Sequence, residues 1–305
     1  MRIKTIIILI LIALIISGLA FVAGIYFKDD TTKLYNVFNE QVQTQVQTQT
    51  QNLQKTEIGS VISKVGKEIL TSPPLNVGGN ADNKITLLKS KIISETNAQR
   101  LENGNLPPLK ENTKLDEAAA AKANDLFLKQ YFEHVSPTGI DPGKLVQSYG
   151  YEYIVTGENL ILGNFSSEKE VVQDWMNSPE HRENILNNRY TEIGVAIIKG
   201  IYKGETVWIG VQEFGFPLSA CTAPSVALKN QIDSNTAQIN LLSVQVNESK
   251  KQIDSTDPNS LAYRQMVDDY NKLVGQYNSL ADTTKGIVAQ YNKEVNNFNS
   301  CVNEN

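Results

Sequence analysis

Hydrophobic positions divide the chain into four stretches with different patterns. The first is an unbroken apolar and uncharged run of 23 residues from Thr5 to Phe27. As a helix it spans about 34 Å, enough for a bilayer core of roughly 30 Å. Arg2 and Lys4 precede it, which predicts a cytoplasmic N-terminus and display of the rest on the far side. A competing expectation is a signal peptide cut after Gly18-Leu19-Ala20, which would release the chain as a secreted protein. Both outcomes export the remainder of the chain.

The second stretch, 28–83, is a stalk. Its Gln41–Gln51 run alternates Gln, Thr and Val and has little apolar surface to bury. Ile58, Val61, Ile62, Val65 and Leu70 are spaced as on one helix face and predict a short helix over 58–70. Thr71-Ser-Pro-Pro and Val77-Gly-Gly-Asn then interrupt the chain.

The third stretch, 84–216, has the pattern of a folded domain. Leu87, Leu88, Ile92, Ile93 and Leu101 mark a helix over 85–103, and Leu115, Ala118, Ala119, Ala123, Leu126 and Phe127 mark another over 115–131. A further short helix is expected over 144–149. Ser167-Glu-Lys-Glu170 is a capping box that starts a helix ending near Met176. Ser178-Pro179 restarts one, with serine as N-cap and proline in the first position. Residues 193–199 and 206–214 read as strands joined through Gly200 and Gly204. Helices followed by late strands predict an α+β fold.

In the fourth stretch, 225–305, apolar residues recur every seventh position. One row is Tyr263, Tyr270, Tyr277, Tyr291 and Phe298, with Thr284 in its gap; a second runs Val267, Val274, Ala281, Val288, Val295 and Val302. Ile232, Ile239, Val246 and Ile253 repeat the spacing before an Asp254–Ser260 break. The pattern predicts an antiparallel α-helical hairpin of coiled-coil type, able to close on itself or to recruit a protein partner. The two cysteines, Cys221 and Cys301, fall at its open ends and are expected to pair in an oxidising compartment. Free thiols or an intermolecular bond are the alternatives.

A net charge of −5 argues against nucleic acid and against electrostatic docking on an anionic bilayer. Candidate chemistry is sparse. The histidines are His134 and His181, both in the folded stretch. His181 is the third residue of the helix after Ser178, where the helix dipole disfavours an imidazolium and keeps the ring fit for a metal or a proton. Glu158 precedes Leu160-Ile-Leu162, so it is expected to be partly buried and to have a partner. The spacings between these residues form no local metal motif.

Taken together, Asn97-Ala-Gln-Arg100, Leu106-Pro-Pro-Leu109, His134-Val-Ser-Pro-Thr-Gly, Gly157-Glu-Asn-Leu160, Trp175-Met-Asn-Ser-Pro-Glu-His-Arg-Glu-Asn-Ile-Leu186, Glu192-Ile-Gly-Val195 and Gln212-Glu-Phe-Gly215 resemble bacterial CAP-domain proteins. These belong with cysteine-rich secretory proteins, insect venom antigens and plant pathogenesis-related proteins. The resemblance covers 85–215. It implies a three-layer α-β-α sandwich with a central cleft lined by His134, Glu158, Asn159, Ser178 and His181. In related eukaryotic proteins two histidines and two glutamates there hold a divalent cation, which makes His134 and His181 candidate ligands for an ion such as zinc. The second glutamate of that set falls on Ser178, and Glu180 and Glu183 are nearby acids without an assigned role. Three functions compete. One is a binding module for a lipid, peptide or cell-wall ligand. Another is a metal-assisted hydrolase using His134, Glu158 and His181. The third is an assembly role through the hairpin.

Overall fold

The computed structural model describes residues 66–78 and 85–304. The expected membrane-spanning run and the stalk up to residue 65 lie outside the described residues. Among the described residues no helix is long and apolar enough to cross a membrane.

Six strands form one mixed sheet. β1 (Glu68–Thr71) and β2 (Leu75–Gly78) both pair with β4 (Tyr153–Gly163), and the order continues β4, β6 (Glu205–Pro217), β5 (Glu192–Tyr202), β3 (Lys110–Glu111). The centre is antiparallel: β4 pairs with β6, and β6 with β5. The outer strands β1, β2 and β3 run parallel to their neighbours.

Side chains alternate across this sheet, and a core forms on each face. On one face α1 (Lys89–Gly104), α4 (Glu168–Asn177) and α5 (Pro179–Ile185) bury Ile92, Val171, Trp175 and Ile185 against Val155, Ile161, Trp208 and Phe214. On the other, α2 (Thr113–Lys129) packs Ala119, Ala123 and Leu126 on Leu160, Leu162, Ile209 and Val211. The alanines let the α2 backbone approach the strands. The short α3 (Pro142–Ser148) packs Val146 beside Leu115 and Ala118.

The capping box forms with a shift. The Ser167 hydroxyl accepts from the Glu170 N–H at 3.2 Å, but the Glu170 carboxylate returns to Ser166 rather than to Ser167. Asn97, in the first matching motif, clamps Leu109 by donating to its carbonyl at 3.0 Å and accepting from its N–H at 2.8 Å. Arg100, fully buried, donates to the carbonyls of Ile185 and Asn187 at 2.8 Å each and so fixes the end of α5.

One expectation is overturned. The spacing of Ile58 to Leu70 predicts a helix, yet Glu68–Thr71 is a strand, and residues 68–78 join the sheet instead of extending a stalk. Ladder bonds to β4 outweigh a local helical spacing, because a strand's conformation depends on its partner. The strand β4 itself has no alternating pattern: all eleven of its residues are buried.

The remaining stretch forms a unit of its own, described separately. In α6 (Val226–Asp254) and α7 (Leu261–Glu304), Ile239, Val246 and Ile253 pack with Tyr270, Val274, Tyr277 and Ala281. Asn235 donates to Thr284 at 3.1 Å, and the Ser225 N–H to Glu294 at 2.9 Å, pairings whose opposite chain order makes the helices antiparallel. The Cys221–Cys301 disulfide forms, with its Cα atoms 5.8 Å apart. It packs with Ile154, Phe298 and Val302 on the sheet domain, to which the last turns of α7 belong.

Candidate functional site

Glu158 and Asn159 are consecutive in β4, so they face opposite sides of the sheet. Each gathers a polar network. On the α2 side, His134 Nδ1 lies 2.5 Å from Glu158 Oε1. Opposite Glu158 in the ladder stands Glu213, and neither has any exposure. Lys122, on α2, reaches under the loop that carries His134. Its ammonium donates to the carbonyls of Glu133 at 2.7 Å and His134 at 2.5 Å, and to the Tyr131 hydroxyl at 3.3 Å.

The electrostatics follow from burial. Glu213 is pushed well above the usual carboxylate range by desolvation and by Glu158 beside it, with Lys122 pulling the other way. A protonated Glu213 can donate to Glu158, which lets two buried carboxyl groups share the site. Burial also lowers the Lys122 ammonium, while Glu158 and Glu213 favour its charge.

On the other face, Asn159 is the hub. Its amide donates to the His181 carbonyl at 3.2 Å and to Gln212 Oε1 at 3.1 Å, and Asn184 donates to its Oδ1 at 3.0 Å. Gln212 continues to Thr96 on α1 at 2.8 Å. The Tyr190 hydroxyl reaches Asn184 at 3.4 Å. His181 is buried, and its Nδ1 lies 2.8 Å from the Ser178 hydroxyl, which thereby serves the ring instead of capping α5. His181 Nε2 has no partner of hydrogen-bond geometry, although the Leu160 backbone acts on the ring. Burial is the main cause that lowers its pKa to about 4; His134 lowers it further, and the Leu160 backbone and Glu180 oppose the change.

Ser72 joins the two faces at the edge of β4. Its carbonyl accepts from His134 Nε2. Its hydroxyl accepts from Asn184 at 3.2 Å and lies 3.4 Å from Asn159 Oδ1. Glu158 and the Ser72 carbonyl are both acceptors, so with Glu158 ionised the His134 ring satisfies both only when it carries two N–H groups.

The predicted residues therefore gather around one edge of one strand, but in two sets. His134 meets Glu158; Asn159 and Ser178 meet His181. The acids Glu180 and Glu183 turn outward. Lys122, Glu213, Asn184 and Ser72 were not singled out by the sequence. Glu213 shares strand parity with the inward Val207, Ile209 and Val211, and Lys122 sits on the α2 stripe of Leu115, Ala119 and Leu126, where a charged residue must find partners. A hollow of about 160 Å³ beside Lys122, lined also by Tyr131, Ser136 and Thr138, opens next to the cluster.

Among the described residues no three His, Cys, Asp or Glu side chains gather as a metal shell. Both nitrogens of His134 are engaged by Glu158 and Ser72. As folded, the residues do not fit a divalent ion held jointly by His134 and His181.

The family model of the cysteine-rich secretory protein family (CAP) matches residues 93–214. Uncharacterized protein YkwD of Bacillus subtilis (strain 168) is 36% identical over 160 residues, 49% of this chain and 62% of that one. Uncharacterized membrane protein YlbC of the same organism is 28% identical over 117 residues, 38% of this chain and 33% of that one. The chain thus spans less than two thirds of either relative. Among solved structures, an extracellular protein containing an SCP domain from Bacillus anthracis str. Ames is 30% identical, covering 42% of this chain and 39% of that one, with a TM-score of 0.36. An outer surface protein from Borrelia burgdorferi is 27% identical, covering 46% of this chain and 99% of that one, with a TM-score of 0.37.

Proposed function

Since the chain carries a CAP domain of the bacterial, SCP-like kind, we propose that it is an extracytoplasmic binding module whose site is the β4 edge around His134, Glu158, Asn159, His181 and Asn184. The observation that carries this proposal is the engagement of His134. A hydrolase needs its histidine free for water or a nucleophile. Here both His134 nitrogens are engaged within the chain, one by Glu158 and one by a peptide carbonyl, and the unpartnered His181 Nε2 is buried away from solvent. The amide groups of Asn159 and Asn184, which suit hydrogen-bonded recognition, complete the site.

The extracytoplasmic place rests on the Cys221–Cys301 disulfide, which an oxidising compartment preserves, and on the apolar run from Thr5 to Phe27 with Arg2 and Lys4 before it. The likeness to YlbC, named a membrane protein, supports an anchored form.

The test is a thermal-shift panel on the full chain with an extended peptide, a lipid micelle and a soluble cell-wall fragment. A ligand of the native state raises the melting temperature. The expected result is a rise with one of the three that His134→Ala abolishes. No rise with any of them, or a rise that His134→Ala leaves intact, overturns the proposal.

A further inference from the structure

Residues 68–78 lie along the β4 edge in the manner of a bound strand. The ladder runs from Glu68 opposite Val155 to Thr71 opposite Glu158, then resumes at Leu75 opposite Ile161 and ends at Gly78 opposite Gly163. Four steps of this segment, 71 to 75, match three steps of β4, 158 to 161. The surplus residue is taken up by Ser72-Pro73-Pro74, beside the histidines. Pro73 and Pro74 have no N–H, so this stretch offers the site acceptors and one hydroxyl.

The fit is close. Ser72 is 2% exposed and touches both polar networks. β4 has glycines where the segment comes nearest. A Cβ at Gly157 would meet the Tyr190 hydroxyl at 2.1 Å and the Leu70 carbonyl oxygen at 3.0 Å, and one at Gly163 would lie 2.9 Å from the Gly78 carbonyl oxygen and 2.5 Å from a Val77 methyl. Leu70 and Leu75 are half-buried against the core, while Ile69 and Val77 stay exposed. Two ion pairs fix the start: Glu68 with Arg189 at 2.6 Å and Lys67 with Glu152 at 2.7 Å.

Two four-residue strands at a sheet edge are weakly held by comparison with the central ladder. An edge that pairs with a backbone on one side recognises a second polypeptide by the same bonds, with side-chain contacts setting specificity. A lipid chain or a glycan lacks the regular N–H and C=O spacing that this ladder reads.

We infer that the β4 edge with His134, Asn159 and Asn184 binds an extended polypeptide carrying a Ser-Pro step, which enters as an added parallel strand, and that residues 68–78 are its occupant in cis. The inference rests on the binding-module proposal and names its ligand class. A polypeptide ligand must displace the segment, so the intact chain binds it more weakly than a chain whose segment is released, and a saturating ligand still raises the melting temperature.

The test uses the full chain with a protease site engineered within 79–84, cut while folded, and a fluorescent synthetic peptide of residues 66–78. The cut chain is expected to exchange its own segment for the peptide in a saturable way, at least tenfold more tightly than the uncut chain. His134→Ala in the protein, or alanine for Ser72 in the peptide, is expected to weaken binding at least tenfold. An uncut chain carrying Leu70→Asp and Leu75→Asp, with near-ultraviolet circular dichroism verifying its fold, should bind the peptide as the cut chain does. The inference is overturned if the cut chain never exchanges its segment, if neither form binds the peptide, or if binding ignores His134. Peptide failure alongside a His134-dependent shift with the lipid or wall fragment sinks the ligand class alone. Failure with all three sinks the binding module as well.

Discussion

Glu158 and Glu213 face each other across the β4–β6 ladder with both carboxyl groups fully buried. Glu213 holds its proton above the ordinary value of 4.5, because desolvation and its neighbour disfavour a second charge. The native state therefore retains a proton that the unfolded chain releases. Its stabilising contribution is complete below pH 4.5 and is lost as pH rises through the raised native value. Glu213→Gln keeps the shape and removes the titration. We expect the variant to match the parent near pH 5 and to exceed it at pH 9 by about 1–3 kcal/mol. Calorimetric melting at the two pH values checks this, and an unchanged or lower melting point at pH 9 contradicts it.

His181 produces the opposite slope. Its folded pKa of about 4 lies below the ordinary 6.5, so the unfolded chain binds the extra proton first. The stability it confers is complete above pH 6.5 and is lost as pH falls toward 4, on the order of 3 kcal/mol in all. Urea unfolding of the parent and of His181→Asn at pH 7, 5.5 and 4.5 should show a shallower acid limb in the variant. Parallel limbs would show that the ring is not held neutral.

Lys122 ties the His134 loop to α2 through two carbonyls and stands near two buried carboxyl groups. Lys122→Met keeps the stem but leaves those acceptors and charges unanswered. The expected cost is about 3 kcal/mol in urea unfolding, together with faster proteolysis around residues 132–135. A loss under 1 kcal/mol would mean that water replaces the ammonium freely.

The Cys221–Cys301 bond closes a sequence separation of 80 residues. The chain-entropy estimate for a loop of that length is about 4.5 kcal/mol. Replacing both cysteines by serine should lower stability by a similar amount, and a reductant should affect the parent but not the variant. Equal melting of reduced and oxidised parent would show that the bond adds nothing.

Local chemistry, the Cys221–Cys301 bond and the helical hairpin were legible in the sequence; the strand pairing of the sheet was not. Ser167 and Ser178-Pro179 announced the starts of α4 and α5, and the rows through Tyr270, Tyr277 and Val274 announced the buried stripe of α7. β4 was missed because burial on both sides erases the alternation by which a strand is recognised. Thr156, Glu158 and Asn159 interrupt its apolar run, yet each is buried and bonded. β1 and β2 were missed because four residues acquire strand character only from a partner. His134 and Glu158 were found through their motifs and do meet. Lys122 and Glu213 needed a three-dimensional reason for a charge on an inward stripe. Ser178 looked like a cap, and its hydroxyl went to His181 because the ring's Nδ1 competes with the helix's own N–H groups.

The bond between Cys221 and Cys301 also gives the chain an unusual tolerance to cutting. Everything from residue 222 to 300 is a branch whose two ends meet at one sulfur pair. A single nick anywhere along that branch leaves one covalent molecule. A protease could open the helical arm while the sheet domain, and whatever its edge holds, stays attached until the bond is reduced.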